Sequence, residues 1–141
     1  QKNTFKVHEK LDKNVSVLKL FPGIQEKTVD SVFNTKDIKA LIIETFGSGN
    51  AITDHWFISK IKKLVSQEII VLNITQCMSG MVNMNRYETG KKLLEAGVIS
   101  GFDMTIESAL VKTMYLLGRE QGYDNLKFYL QKSIRGEINV L

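Results

Sequence analysis

The chain has 141 residues, 43% of them hydrophobic, enough for one domain with a core of its own. Its net charge of +4 comes from scattered basic residues, with no run longer than Lys60-Ile61-Lys62-Lys63, which argues against a nucleic-acid partner. A single cysteine excludes an internal disulfide, and no apolar run reaches the length of a membrane span.

Residues 1–14 are polar and without a clear period, and they lack the apolar segment of a secretory signal. They read as a leader or linker, with a short extended piece expected at residues 5–7. A start at Gln1 in place of Met is expected of a trimmed or partial chain. The lone cysteine beside five methionines fits a reducing, intracellular setting. Residues 15–21 form the first expected strand, which stops at the turn pair Pro22-Gly23. A short helix follows over 24–33, with Ile24, Val29, Val32 and Phe33 as its apolar positions. The second strand covers 38–43 and runs into Glu44-Thr45-Phe46-Gly47-Ser48-Gly49-Asn50.

The clearest helix spans 54–65, capped by Thr53 or Asp54. Phe57, Ile58, Ile61, Leu64 and Val65 share its inner face, and Lys60, Lys62 and Lys63 point away. The third strand begins the stretch Ile69-Ile70-Val71-Leu72-Asn73-Ile74, whose β-branched content and abrupt polar end favour strand over helix. Thr75 to Gly80 then lie at its carboxyl end, where parallel sheets carry ligand loops. A helix over 87–96 closes at Gly97, and a short fourth strand is expected at 98–99. Asp103 or Thr105 caps the next helix, with core face Ile106, Leu110, Met114 and Leu117 and an end at Gly118. A last helix covers 125–133, with Leu126, Tyr129 and Leu130 inward. The alternation predicts an α/β fold: one small three-layer, Rossmann-like domain with a parallel sheet of about four strands flanked by helices.

Gly47-Ser48-Gly49-Asn50 sits between a strand and a helix, the setting of a phosphate-binding turn. The dinucleotide fingerprint, however, needs a third glycine where Ile52 stands, and needs the turn after the first strand. The glycines can instead let the backbone approach a ligand while the Asn50 amide offers a donor and an acceptor. Cys77 is a candidate nucleophile with His8 or His55 as base, but nothing in the sequence places either beside it, so an unreactive thiol is the simpler reading. One cysteine and two separated histidines make a poor metal set. Asp103 and Glu107 lie one helical turn apart, which invites an acid–base role that helix capping explains more simply. Trp56 is a core or interface residue by the same logic.

Several segments in collinear order resemble the carboxyl-terminal domain of bacterial cytoplasmic, type I L-asparaginases. They are Val17-Leu18-Lys19-Leu20-Phe21-Pro22-Gly23-Ile24, Phe46-Gly47-Ser48-Gly49-Asn50, Asn73-Ile74-Thr75-Gln76-Cys77-Met78-Ser79-Gly80 and Tyr87-Glu88-Thr89-Gly90. Gly101-Phe102-Asp103-Met104-Thr105-Ile106-Glu107 and Arg135-Gly136-Glu137 complete the set. The likeness runs from about Val15 to Ile138, which makes 15–141 the expected domain and 1–14 a linker from an amino-terminal domain.

The resemblance implies a cytoplasmic amidohydrolase that converts asparagine to aspartate and ammonia without a cofactor. It implies partners in the chain's own amino-terminal domain, in further copies of itself (a dimer or dimer of dimers) and in L-asparagine, and neither nucleic acid nor membrane. In the family the amino-terminal domain carries the threonine nucleophile in a Thr-Gly-Gly-Thr segment and a second threonine in Gly-Thr-Asp. Neither segment occurs here, so no catalytic residue carries over. The asparagine of the Gly-x-Gly-Asn loop, Asn50, is implied to reach a neighbouring subunit's substrate near its α-amino group. Thr75 and Cys77 match positions that some cytoplasmic members use to bind an effector asparagine. Glu44 stands where those members have an arginine, reversing the charge offered to the effector's carboxylate. The archaeal glutaminase subunit of a tRNA-dependent amidotransferase shares this architecture and is the alternative, as is a free-standing, non-enzymatic ligand-binding module.

Overall fold

The computed structural model describes residues 7–120 and 122–139. Their elements follow in the order β1 (Val15–Lys19), α1 (Glu26–Phe33), β2 (Ala40–Thr45), α2 (His55–Ser66), β3 (Ile70–Thr75), α3 (Glu88–Glu95), β4 (Ile99–Ser100), α4 (Ile106–Gly118) and α5 (Tyr123–Leu130). All four strands are parallel and lie side by side in chain order, β1-β2-β3-β4. Because the sheet grows in one direction, crossovers of one hand place their helices on one face. On that face Val29 and Phe33 of α1, Phe57, Ile61 and Leu64 of α2, and Leu93 of α3 cover Leu18, Leu41, Ile43 and Val71. The other face, with Ala40, Ile42, Ile70 and Leu72, is covered by α4 and α5 through Ala109, Leu116, Leu126 and Leu130. The result is the expected three-layer α/β domain. The central strands are buried on both faces, which is why their sequence is near-continuously apolar.

Several expectations are corrected. The core face of α4 is Ala109, Lys112, Thr113 and Leu116, one position away from the expected stripe, while Ile106, Leu110 and Leu117 pack at its flanks. This helix is apolar nearly all round, so periodicity alone does not select a face. Gly118 ends the helix, as expected. It is the last helical residue, and a Cβ there would collide with the Lys10 carbonyl, so its bare Cα lets residues 10–12 cross α4. Asp12 N–H donates to the Met114 carbonyl at 3.0 Å in the same crossing. Tyr129 is exposed, and α5 spans Tyr123–Leu130 in place of 125–133. Lys60 turns toward α1, 2.6 Å from Asp30 and 3.0 Å from Glu26. Asp54 occupies the N-cap of α2 without capping it and accepts from the Trp56 indole at 3.3 Å. Trp56 itself packs against the core, edge-on to Phe57. Of the extended piece expected at 5–7, residues 5 and 6 lie outside the described residues, and Val7 is in no strand.

Candidate functional site

A sheet ordered β1-β2-β3-β4 has no reversal of strand order, so it lacks the switch-point crevice that many α/β folds use for ligands. What the carboxyl edge offers instead is a stack of two loops. After β2, the chain folds back at Phe46–Asn50, where each of the two backbones donates an N–H to the other's carbonyl at 2.8 Å. Gly47 (φ +50°) and Gly49 (φ +106°) make this turn possible. Gly49 is also required by space, since a Cβ there would lie 2.9 Å from Val82 and 3.2 Å from the Asn73 amide nitrogen.

That amide explains the polar residue inside the third strand. Thr45, at the end of β2, and Asn73, two residues before the end of β3, are both fully buried. Thr45 Oγ1 donates to Asn73 Oδ1 at 2.6 Å, and Asn73 Nδ2 donates to the Gly49 carbonyl at 3.3 Å. The glycine turn is thus fixed from beneath by a fully satisfied, uncharged network. From the next loop, Thr75 Oγ1 donates a short hydrogen bond to the Gly47 carbonyl and accepts from the Cys77 N–H at 3.0 Å. Gln76 Nε2 donates to the Leu20 and Glu44 carbonyls at 2.7 and 2.8 Å, joining the ends of β1, β2 and β3. Asn83 N–H reaches the Ser48 carbonyl at 2.8 Å.

Asn50 stands at the far side of this turn, half-buried, and its Oδ1 accepts from the Thr89 hydroxyl at 2.6 Å. An open depression of about 380 Å³ lies beside it, lined by Gly47, Ser48, Cys77, Met81, Asn83 and Arg86 among others. Thr75 and Cys77 therefore belong to the same loop stack as Asn50. Asn50 and Thr75 do not themselves line the depression, and neither does Glu44. Glu44 pairs in register with Ile74, whose side chain belongs to the α4–α5 face, so it lies on the opposite side of the sheet from Thr45 and Thr75. Neither histidine lines it: His55 is exposed at the start of α2, and His8 packs edge-on to Tyr115 at 6.3 Å. The thiol of Cys77 is exposed. Among the described residues no group of three His, Cys, Asp or Glu side chains could hold a metal ion.

A second polar cluster, missed by reading the sequence, lies under α4. Lys112 is buried, and its ammonium spends all three protons, on the Leu130 carbonyl (3.0 Å), the Lys132 carbonyl (2.6 Å) and Glu137 Oε1 (2.7 Å). Burial alone would push the Glu137 carboxyl up. The Lys112 ammonium and the N–H groups of Arg135 and Ile134 outweigh it and bring the carboxyl down to about 2. Burial also pushes the Lys112 ammonium below its usual range, against the pull of Glu137. The Asp103 and Glu107 pair dissolves into separate structural roles. Asp103 accepts from the Asn139 N–H at 3.1 Å. The cap of α4 is Thr105, which accepts from Ser108 N–H at 3.3 Å. The Glu107 carboxyl is held low by its own N–H and by the Thr105 hydroxyl. Local sequence carries no sign of the Lys112–Glu137 pair, 25 residues apart. Asn73 does leave one, as the polar break in an apolar strand.

A family model described as the Glutaminase/Asparaginase C-terminal domain matches residues 14–130. L-asparaginase 1 of Escherichia coli is 39% identical over 132 residues, which is 94% of this chain and 39% of that protein. A glutamyl-tRNA(Gln) amidotransferase component of Pyrococcus abyssi is 36% identical over 132 residues, covering 94% of this chain and 30% of its own length. The crystal structure of L-asparaginase I from Vibrio cholerae superposes with a TM-score of 0.90 at 37% identity, over 99% of this chain and 42% of the other. The chain thus spans about two fifths or less of the length of these relatives.

Proposed function

The chain belongs to the glutaminase/asparaginase C-terminal domain family, and from that premise we propose that it serves as the dimer-forming, substrate- and effector-binding domain of an L-asparaginase. The full-length protein would be cytoplasmic and hydrolyse asparagine to aspartate and ammonia. The observation that supports this reading most directly is the convergence of Asn50, Thr75 and Cys77 on one loop stack, with the glycine turn held rigid from below. Asn50 is the proposed substrate contact, extended to a neighbouring subunit's site. Asn50→Ala in the full-length enzyme should lower kcat/KM about ten- to a hundredfold, the worth of one hydrogen bond to a charged group. An unchanged kcat/KM would remove Asn50 from the site.

The threonine nucleophile of the family has no counterpart in this chain, and nucleophile and base act as a unit. The isolated 141-residue chain should therefore release no ammonia from asparagine above a buffer blank. The 36% identity to an amidotransferase component favours a second reading, in which glutamine is the amide. Parallel assays of the full-length protein on asparagine and glutamine separate the two.

Thr75 and Cys77 are the proposed effector contacts, with Glu44 in the position of the family's arginine. A carboxylate cannot replace arginine's planar donor fork, and it repels an incoming carboxylate. The expected kinetics are close to hyperbolic in asparagine. Sigmoidal kinetics that vanish on changing Thr75 or Cys77 would show that Glu44 leaves the effector site intact.

A further inference from the structure

The segment Tyr87-Glu88-Thr89-Gly90 is as distinctive as the glycine turn, and the function just given uses none of it. Its place in the fold is specific. Gly90 lies against the backbone of Met84, so closely that a Cβ would come within 2.6 Å of the Met84 carbonyl oxygen. The Met84 side chain is buried and reaches toward the glycine turn, 3.7 Å from where a Cβ on Gly49 would stand. The first turn of α3 is thereby set at a fixed distance from the turn that carries Asn50. Across that distance the Thr89 hydroxyl donates to Asn50 Oδ1 at 2.6 Å, a link between residues 39 apart in sequence.

We propose that Thr89 is a positioning residue for Asn50, fixing its carboxamide so that the amide nitrogen faces the open side of the loop stack. This rests on the reading of Asn50 as a substrate contact. An asparagine amide turns broadly about its last side-chain bond, so one fixed hydrogen bond decides which end it presents. With Oδ1 held by Thr89, the nitrogen lies toward Gly47, 3.8 Å from the point where a Cβ on that residue would stand. The Oδ1 atom keeps a second lone pair, the acceptor that a cationic α-amino group needs, while the N–H groups stay free for an acceptor on the open side.

The test is steady-state kinetics on the full-length asparaginase with L-asparagine, for Thr89→Val, Thr89→Ala, Thr89→Ser, Asn50→Ala and the Asn50→Ala/Thr89→Val pair, each checked by thermal unfolding. Thr89→Val and Thr89→Ala should lower kcat/KM about three- to tenfold with an unchanged melting temperature, the range expected for one neutral hydrogen bond. Thr89→Ser should restore it. In the Asn50→Ala background, Thr89→Val should cost nothing further. A lowered Asn50→Ala with unchanged Thr89→Val and Thr89→Ala overturns this inference alone, as does an additive double variant. An Asn50→Ala variant with normal kcat/KM overturns the reading of Asn50 and this inference with it.

Discussion

The two polar clusters of this domain hold the chain in opposite ways. Under α4 an ion pair between Lys112 and Glu137 fastens the tail, with every proton and both carboxylate oxygens engaged. At the ends of β2 and β3 only uncharged groups are used: Thr45, Asn73, Thr75, Gln76 and the backbone of the glycine turn. The segments that resemble the asparaginase family divide along the same line. Glu137 belongs to the first, through Lys112, while Asp103 on Asn139 and Thr105 at the α4 cap hold the fold elsewhere. The glycine turn, the Thr75-Gln76-Cys77 loop and Thr89 serve the second. A motif can therefore be distinctive for holding the fold or for shaping a surface, and only the contacts tell which. A neutral network suits a ligand-facing position, because it fixes geometry without adding a charge that competes with the ligand's own.

Breaking the charged cluster should have the largest effect on stability and little on function. Glu137→Ala leaves a buried ammonium without its counter-charge and should cost about 3–5 kcal/mol in urea unfolding. On the proposed function, asparagine turnover by the folded full-length protein should change little, because α4 covers the face of the sheet opposite Thr45 and Thr75. Lys112→Met combined with Glu137→Leu should recover much of the loss, since replacing both members of a buried pair by apolar groups is often neutral.

Acid should separate the clusters next. The Glu137 carboxyl lies at about 2 in the folded chain against its ordinary 4.5. A carboxyl lowered by folding contributes stability above its unfolded value and loses it as pH falls through the folded one. The wild-type domain should lose about 3 kcal/mol between pH 5 and pH 2 that Glu137→Gln does not lose. The uncharged network titrates nowhere in that window. Equal acid sensitivity in the two proteins would place the titrating group elsewhere.

Breaking the neutral network should cost less stability and more function. Asn73→Ala takes the Asn73 partner from the Gly49 carbonyl and leaves the buried Thr45 hydroxyl with only its longer bond to the Ile74 carbonyl at 3.2 Å, a loss of about 1–3 kcal/mol. It also loosens the turn beneath Asn50, so kcat/KM should fall more than the unfolding curve alone accounts for. The smallest effect sharpens the contrast further. Thr75→Val removes two bonds of a part-exposed hydroxyl, the one it donates to the Gly47 carbonyl and the one it accepts from the Cys77 N–H, and should cost about 1 kcal/mol. The measurement is the same unfolding series, read beside the kinetics of each variant.

Much of this was legible in the sequence where the signal is local. β-branched runs marked the four strands, Gly97 closed α3 as expected (φ +91°), and Thr105 caps α4. The glycine turn was recognisable from Gly47 and Gly49, because a left-handed backbone leaves a compositional mark. What stayed hidden is non-local. Lys112 reads as a solvated residue in any helical window, and only Glu137 and two carbonyls from the end of α5 and just beyond make its burial possible. The buried face of α4 is hidden for the same reason, since Lys112 and Thr113 occupy positions that a pattern of apolar residues assigns to solvent. Thr89 and Asn50 meet only because Gly90 allows α3 to rest on the Met84 backbone.

The ordering of the sheet also bears on how the chain finds its fold. Each strand pairs with the one before it, so no strand has to be threaded between two already joined. Such a sheet can grow as the polypeptide is made, and loop-closure entropy is paid in small steps between near neighbours. The long-range exceptions are the packing of α4 on β1 and β2 and the crossing of residues 10–12 over Gly118, which joins positions about a hundred apart and needs α4 in place before it can form. That crossing is the step a kinetic experiment should find last, and Gly118→Ala, which obstructs it, should speed unfolding while leaving the rate of sheet assembly nearly untouched.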